Sequence, residues 1–203
     1  MVNVDCHPAT GAAEDFADAR FTGERWSNRQ FHRATFREAD LSGLHTQQVV
    51  FSECDFTGAD LTGSRHVAST FRHCTFVGTT LWHSLFRNCS MLGSVFRNCR
   101  MRPIEFDCVD FTMATLRGAN LRGADLTDSR FRQASLVQAD LRGAELRSVD
   151  LLGARTAGIQ LEFADLRGAH VDPQLWTTAR LLHARIEPDQ ASAFARAHGL
   201  NVE

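Results

Sequence analysis

Residues Ala119-Asn120-Leu121-Arg122-Gly123-Ala124-Asp125-Leu126 carry the pattern that decides the fold, and Ala139-Asp140-Leu141-Arg142-Gly143-Ala144 repeats it. A leucine stands at every fifth position, with an alanine two before it and an acid or amide between. Ala39-Asp40-Leu41, Ala59-Asp60-Leu61 and Ala164-Asp165-Leu166 are further copies. Run outward in steps of five, the register extends from Phe16 to Ile186 and takes in 35 positions. Thirty-two of them are apolar, the exceptions being Thr46, His66 and Thr156. Thirteen of the 15 phenylalanines fall on it, in a chain that is only 43% hydrophobic. Such a match does not arise from composition and marks an internal repeat.

A period of five fits neither a helix at 3.6 nor a flat strand at 2. It requires a short extended segment followed by a turn. Within the extended part, the large residue and the small one two before it point the same way. Ser69, Cys74, Ser84, Cys89, Cys99, Ala119, Ala139, Ala154 and Ala164 all occupy the small position. Segments this short cannot stand alone, so they must stack as a solenoid in which each coil bonds the next. At roughly 4.8 Å per coil, each large apolar side chain rests on its counterpart above and below. The small column then keeps a narrow interior filled.

The pattern resembles the pentapeptide-repeat family over about residues 16–186. The resemblance implies a right-handed parallel β-helix of quadrilateral cross-section, with four pentapeptides to a 20-residue coil. The stretches Phe51–Phe56, Thr79–Ser84, Cys89–Phe96, Val171-Asp172-Pro173 and Ala197–Leu200 look like the fluoroquinolone-resistance branch of that family. That likeness implies a role: binding DNA gyrase as a mimic of duplex DNA, at the DNA-binding surfaces of GyrA and/or GyrB. Such binding would inhibit the enzyme and protect it from fluoroquinolones. It also implies a homodimer joined end to end.

After Ile186 the register stops. Glu187-Pro188-Asp189 reads as a helix start, Ala191, Phe194, Ala195 and His198 follow at helical spacing, and Gly199 ends it. The expected class is therefore all-β, a pentapeptide-repeat solenoid with a short C-terminal α-helix. The expected organisation is a flexible lead at 1–15, the β-helix at 16–186, and a helix and tail at 187–203 that carry dimerisation. The apolar residues Trp176, Leu181, Leu182, Ile186, Phe194 and Leu200 are the candidate dimer interface. Pro103 sits at a turn position, where a bend is expected near 101–106. His66 reads either as a ligand or as a polar residue buried in the core, with no Cys or carboxylate cluster in register to favour the first.

The net charge of −2 hides a segregated pattern. From Glu38 to Ser64 there are five acids and no Arg; from Arg65 to Ile104 there are six Arg and no acid. With a 20-residue coil, Glu105, Asp125, Glu145 and Asp165 form one acidic column, and Asp40 and Asp60 start another. These six and Asp55 are the candidate partner-binding residues. Stacked carboxylates repel, although Asp side chains also cap backbone donors in turns. Duplex DNA carries about one charge per 1.7 Å, or about three per coil. Only residues 41–60, at net −3 without Arg, reach that density. Mimicry must therefore work on selected faces.

No catalytic constellation, phosphate loop or metal-ligand spacing is present, so the expectation is a non-enzyme without cofactor. Two other functions fit the composition: a nucleic-acid binder using the Arg65–Arg102 block, or a scaffold for an unrelated protein. Aromatic residues locked in the core register argue against direct nucleic-acid binding. No apolar run is long enough to span a membrane, and residues 1–20 lack a secretory h-region, which points to the cytoplasm and free thiols.

Overall fold

The structure, a computed structural model, describes residues 13–203. The lead expected at 1–15 falls, for residues 1–12, outside the described residues; Asp15 already pairs with Thr35. Parallel bridges join residues 20 apart along four columns. Asp15–Thr35–Asp55–Thr75 is one and Arg20–Asp40–Asp60–Thr80 the next. The other two include Asp125–Glu145–Asp165–Arg185 and Thr70–Ser90–Asp110–Arg130. Four columns give the coil four sides. In the N-terminal half the contacts widen into short strands. Arg25–Ser27, His45–Gln47, Arg65–Val67, Ser84–Arg87 and Ile104–Asp107 form a five-stranded parallel sheet on one side.

The turn that closes each repeat has one backbone requirement. The residue two after each large core residue has positive φ at every fifth position from Asp18 to Gly168, with one omission, Pro103. L-residues pay for that conformation, which glycine adopts freely and Asn or Asp adopt at reduced strain. This is why Gly23, Asn28, Gly43, Asn88 and Gly123 recur there.

Inside, the register holds from end to end. Phe36, Phe56, Phe76 and Phe96 stack at 5.0, 5.0 and 4.7 Å with near-parallel rings. Phe31, Phe51 and Phe71 stack beside them at 5.2 and 4.8 Å. Leu121, Leu126, Leu136, Leu141, Leu146, Leu161 and Leu166 continue the filling, all buried. Each such side chain contributes about 1.5–3 kcal/mol of burial, and one-residue slippage would turn the whole set outward.

The ladder opens around Pro103. No bridge joins Arg100 to Asn120 or Glu105 to Asp125, although Thr80–Arg100 and Asn120–Asp140 pair normally. Pro103 explains the gap. It cannot adopt positive φ and has no N–H to give to the coil above. The His83 amide also bonds the carbonyl of Pro103, where the neighbouring repeats use the residue one earlier: Gly63 to Trp82 and Gly43 to Thr62. The irregularity expected near 101–106 is therefore an opened seam, confined to two sides. The Val95–Thr115 and Asp110–Arg130 bridges hold the other two closed.

At the C-terminus the chain departs from the uninterrupted register. Helix α1, Pro173–Thr178, replaces one side of the last coil, and Trp176 lies on it. Pairing then resumes at Gln160–Arg180. Helix α2, Pro188–Ala197, begins with a reciprocal capping box between Glu187 and Gln190. It ends with Gly199 at φ +83, the Leu200 amide bonding Ala195 and the Gly199 amide bonding Arg196, a Schellman closure. Residues 200–203 lie outside any strand.

Candidate partner-binding surfaces

Most aspartates of the repeat have a local task. At Asp15, Asp40, Asp55, Asp60, Asp110, Asp125, Asp140, Asp150 and Asp165, Oδ1 accepts the backbone N–H two residues on. These Asx turns fix the chain as it enters the turn. The second oxygen decides what each aspartate offers a partner, and its fate differs from site to site.

Asp40 accepts the hydroxyls of Thr22 and Ser42, and these hydrogen bonds lower its pKa. Asp55 pairs with Arg37 at 3.1 Å. Asp60 is exposed, with its Oδ1 on Thr62 N–H. In the second column Glu105 and Asp125 are exposed, whereas Glu145 lies 3.7 Å from Arg147. Asp165 is only 3% exposed and is gripped by Arg167 at 2.6 and 2.9 Å. Arg167 holds its carboxyl down to about 2. The seven candidate carboxylates thus lie on three sides of the rod, and Glu105 and Asp125 face each other across the open seam. Along the column from 105 to 165, Glu105 and Asp125 stand in no ion pair among the described residues, whereas Glu145 and Asp165 bear Arg147 and Arg167.

The arrangement at the waist is different. Glu105, Asp107, Asp110, Asp125 and Asp128 lie on two adjoining sides of two successive coils and the corner between them, four of them exposed and Asp110 half-buried. Arg87 pairs with Asp107 at 2.7 Å and lowers its pKa. A groove of about 490 Å³ runs here, lined by Thr70, Asn88, Cys108, Asp110, Asp128 and Arg130 among others. Asp107, Asp110 and Asp128 were not singled out from sequence. The 20-residue step alone places Asp128 and Cys108 together, but the Asp110 and Asp125 sides adjoin only around a corner.

The Arg65–Arg102 block is not one surface. Arg87 serves Asp107, and Arg72 donates to Ser52 at 3.0 Å. Arg97, Arg100 and Arg102 lie on the side opposed in charge to the acidic waist, with Arg117 and Arg122 one coil above.

At the C-terminal end, Leu182, Phe194 and Leu200 are exposed at 64%, 37% and 62%. Trp176, expected at an interface, is 3% exposed inside its own protomer, with Phe194 edge-on at 6.2 Å. Leu181 and Ile186 are half-buried. A groove of about 520 Å³ lies between Trp176, Leu182, Ile186, Phe194 and His198. Phe163 adds to the apolar area: it is 63% exposed, has positive φ, and stacks on His183 at 5.0 Å.

The family model for a pentapeptide repeat region matches residues 49–126, and that for pentapeptide repeats (8 copies) matches 30–65 and 124–155. The chain belongs to the pentapeptide-repeat family. Among its pentapeptide-repeat relatives, MfpA of Mycobacterium tuberculosis is 58% identical over 104 residues, 51% of this chain and 57% of that protein. MfpA of Mycolicibacterium smegmatis is 54% identical over 59 residues, 29% of this chain and 31% of that one. The matched stretches thus span just over half and under a third of those relatives. The full-length structure of QnrB1, described as a plasmid-mediated fluoroquinolone resistance protein, superposes with a TM-score of 0.84. That match covers 92% of this chain and 95% of QnrB1 at 20% identity, so the likeness is one of fold.

Proposed function

We propose that this pentapeptide-repeat protein binds DNA gyrase as a mimic of duplex DNA, inhibits it, and protects it from fluoroquinolones. It acts in the cytoplasm, by binding and without catalysis. The similarity to MfpA and the resemblance to the fluoroquinolone-resistance branch support the partner. The observation that carries the mechanism is the acidic waist. Two coils rise about 10 Å, over which duplex DNA presents about six charges. These two adjoining sides present Glu105, Asp107, Asp110, Asp125 and Asp128, with Arg87 and Arg130 offsetting two. Carboxylates at that density stand in for phosphates before a basic DNA-binding surface and steer the encounter.

The test is a gyrase supercoiling assay with Glu105→Arg and Asp128→Arg combined. Neither carboxylate caps a turn, so the fold is expected to persist, checked by circular dichroism. Inhibition should weaken at least about tenfold, since each reversal replaces an attraction by a repulsion. Undiminished inhibition by the folded variant would remove the waist from the interface.

A further inference from the structure

We infer that the arginine side of the waist binds a single nucleic-acid strand, its phosphates on Arg97, Arg100, Arg102, Arg117 and Arg122 and a base on the indole of Trp82. The inference goes beyond the gyrase reading and does not rest on it. Among the described residues, eight of the 17 arginines outside this group stand in ion pairs: Arg33, Arg37, Arg87, Arg132, Arg142, Arg147, Arg167 and Arg180. None of the five waist arginines does, and all five are exposed. The segments 97–102 and 117–122 contain no acid. The next coil up offers Asp140, but Arg142 already holds it at 2.6 Å.

These arginines also flank the open seam. Arg97 and Arg117 occupy equivalent places in successive coils, as do Arg102 and Arg122, with no bridge between Arg100 and Asn120 to bind the coils together. Like charges about one coil apart repel, and none of the five stands in an ion pair with an acid of the described chain. A polyanion laid across the seam would neutralise them and would tie the two coils from outside.

Trp82 identifies the polyanion. It is 47% exposed and lies in the coil directly below Arg102, at the same turn position. The other two tryptophans, Trp26 and Trp176, are buried. An exposed indole beside a row of guanidiniums suits a base stacked next to its own phosphates. An acidic peptide would use the arginines and leave the ring idle. A paired duplex would hide its base faces from it, so the occupant is a single strand.

The probe is a fluorescein-labelled 20-nucleotide oligodeoxynucleotide read by anisotropy, with the wild-type protein at a series of salt concentrations from about 50 mM. Saturable binding that weakens with salt is expected. Arg97→Gln, Arg100→Gln and Arg117→Gln together should weaken it at least about tenfold. They should also flatten the slope of log K against log salt by about two, at roughly 0.7 per lost phosphate contact on a single strand. Trp82→Ala should weaken binding about tenfold and leave the slope unchanged. Arg25→Gln, Arg155→Gln and Arg185→Gln, three exposed arginines elsewhere, should have little effect. Absence of binding up to about 100 µM protein at the lowest salt would overturn the inference. So would equal loss in both triple variants, and so would displacement by polyglutamate as effective as by unlabelled strand, which would assign the patch to an acidic protein. Gyrase inhibition measured on the same variants should stay at wild-type level, so failure here and failure of the gyrase reading are told apart.

Discussion

His66 stands where the register calls for phenylalanine, and its surroundings show what a polar core residue needs. It is fully buried and stacks on Phe86 at 4.6 Å. Thr46 Oγ1 lies 2.7 Å from Nδ1, and Ser64 Oγ lies 2.9 Å from Nε2. Ser64 donates to Ser84, and Ser84 to the Leu61 carbonyl. That chain assigns the proton to Nε2 and makes Nδ1 the acceptor of the Thr46 hydroxyl, so a neutral imidazole is fully satisfied. Both nitrogens are occupied, which resolves the two sequence readings in favour of a buried core residue. Burial, and secondarily His45, pushes its pKa from 6.5 to about 3. The unfolded chain therefore takes up a proton below about 6.5 that the folded chain refuses until about 3. Stability must fall as pH drops through that window. Asp165 works in the same sense but lower down: its stabilisation persists above about 4 and disappears as pH falls toward about 2. At pH 4.5 only the histidine is near the middle of its window. His66→Phe should then lose clearly less melting temperature between pH 7 and 4.5 than wild type. An equal loss in both proteins would mean that His66 is not held neutral.

At the scale of elements, the end of the solenoid is a problem that α2 solves. The last coil has carbonyls with no further coil to bond them. Gln190 reaches them from the first turn of the helix: its Nε2 donates to Leu166 and Ala169 at 2.8 and 2.9 Å, while its Oε1 accepts the Glu187 amide at 2.9 Å. One side chain thus caps both the helix and the coil. Gln190→Ala should destabilise the protein by about 1–3 kcal/mol. Hydrogen exchange should quicken in Pro188–Ala197 while the Phe36–Phe96 core is unaffected. Unchanged exchange in the helix would show that the clamp is dispensable. Helix α2 was legible from its Pro, its acid and its glycine stop. Helix α1 was not, because Trp176 and Leu181 satisfy the five-residue period whether or not the intervening chain is extended. Asp172-Pro173 was the available signal, an N-cap residue type followed by proline at the first helical position.

For the whole molecule, the proposal is an isologous dimer through the C-terminal ends. Leu182, Phe194 and Leu200, with Phe163 nearby, leave an apolar surface that the protomer's own helix does not cover. Phe163 is also an expensive residue at its turn, since a bulky side chain at positive φ is strained. Leu182→Arg with Phe194→Arg should yield a folded monomer by sedimentation. Wild-type protein that sediments as a monomer at micromolar concentration would refute the dimer. Two rods in line would place two acidic waists on one elongated particle, which suits a partner built around duplex DNA.

The sequence by itself determined the five-residue period, the inward column from Phe16 to Leu166 and the alternation of large and small residues. Each follows from a local period and from stacking one coil on the next, and both are written in the order of residues. Pro103 likewise marked its irregularity, because its missing N–H and fixed φ are local properties. Which carboxylates remain free was decided only by the tertiary structure. Asp55 meets Arg37 across 18 residues, Asp150 meets Arg132 at the same separation, and Asp107 meets Arg87 across 20. Whether a long arginine side chain reaches up to the next coil, or back to its own turn as at Asp140 and Asp165, depends on the rotamer chosen at each corner. The division of the waist into an acidic and a basic side, and the seam beneath the arginines, arise from how four sides close around one coil. Linear charge blocks cannot express that closure, because residues five apart in sequence face different directions in space.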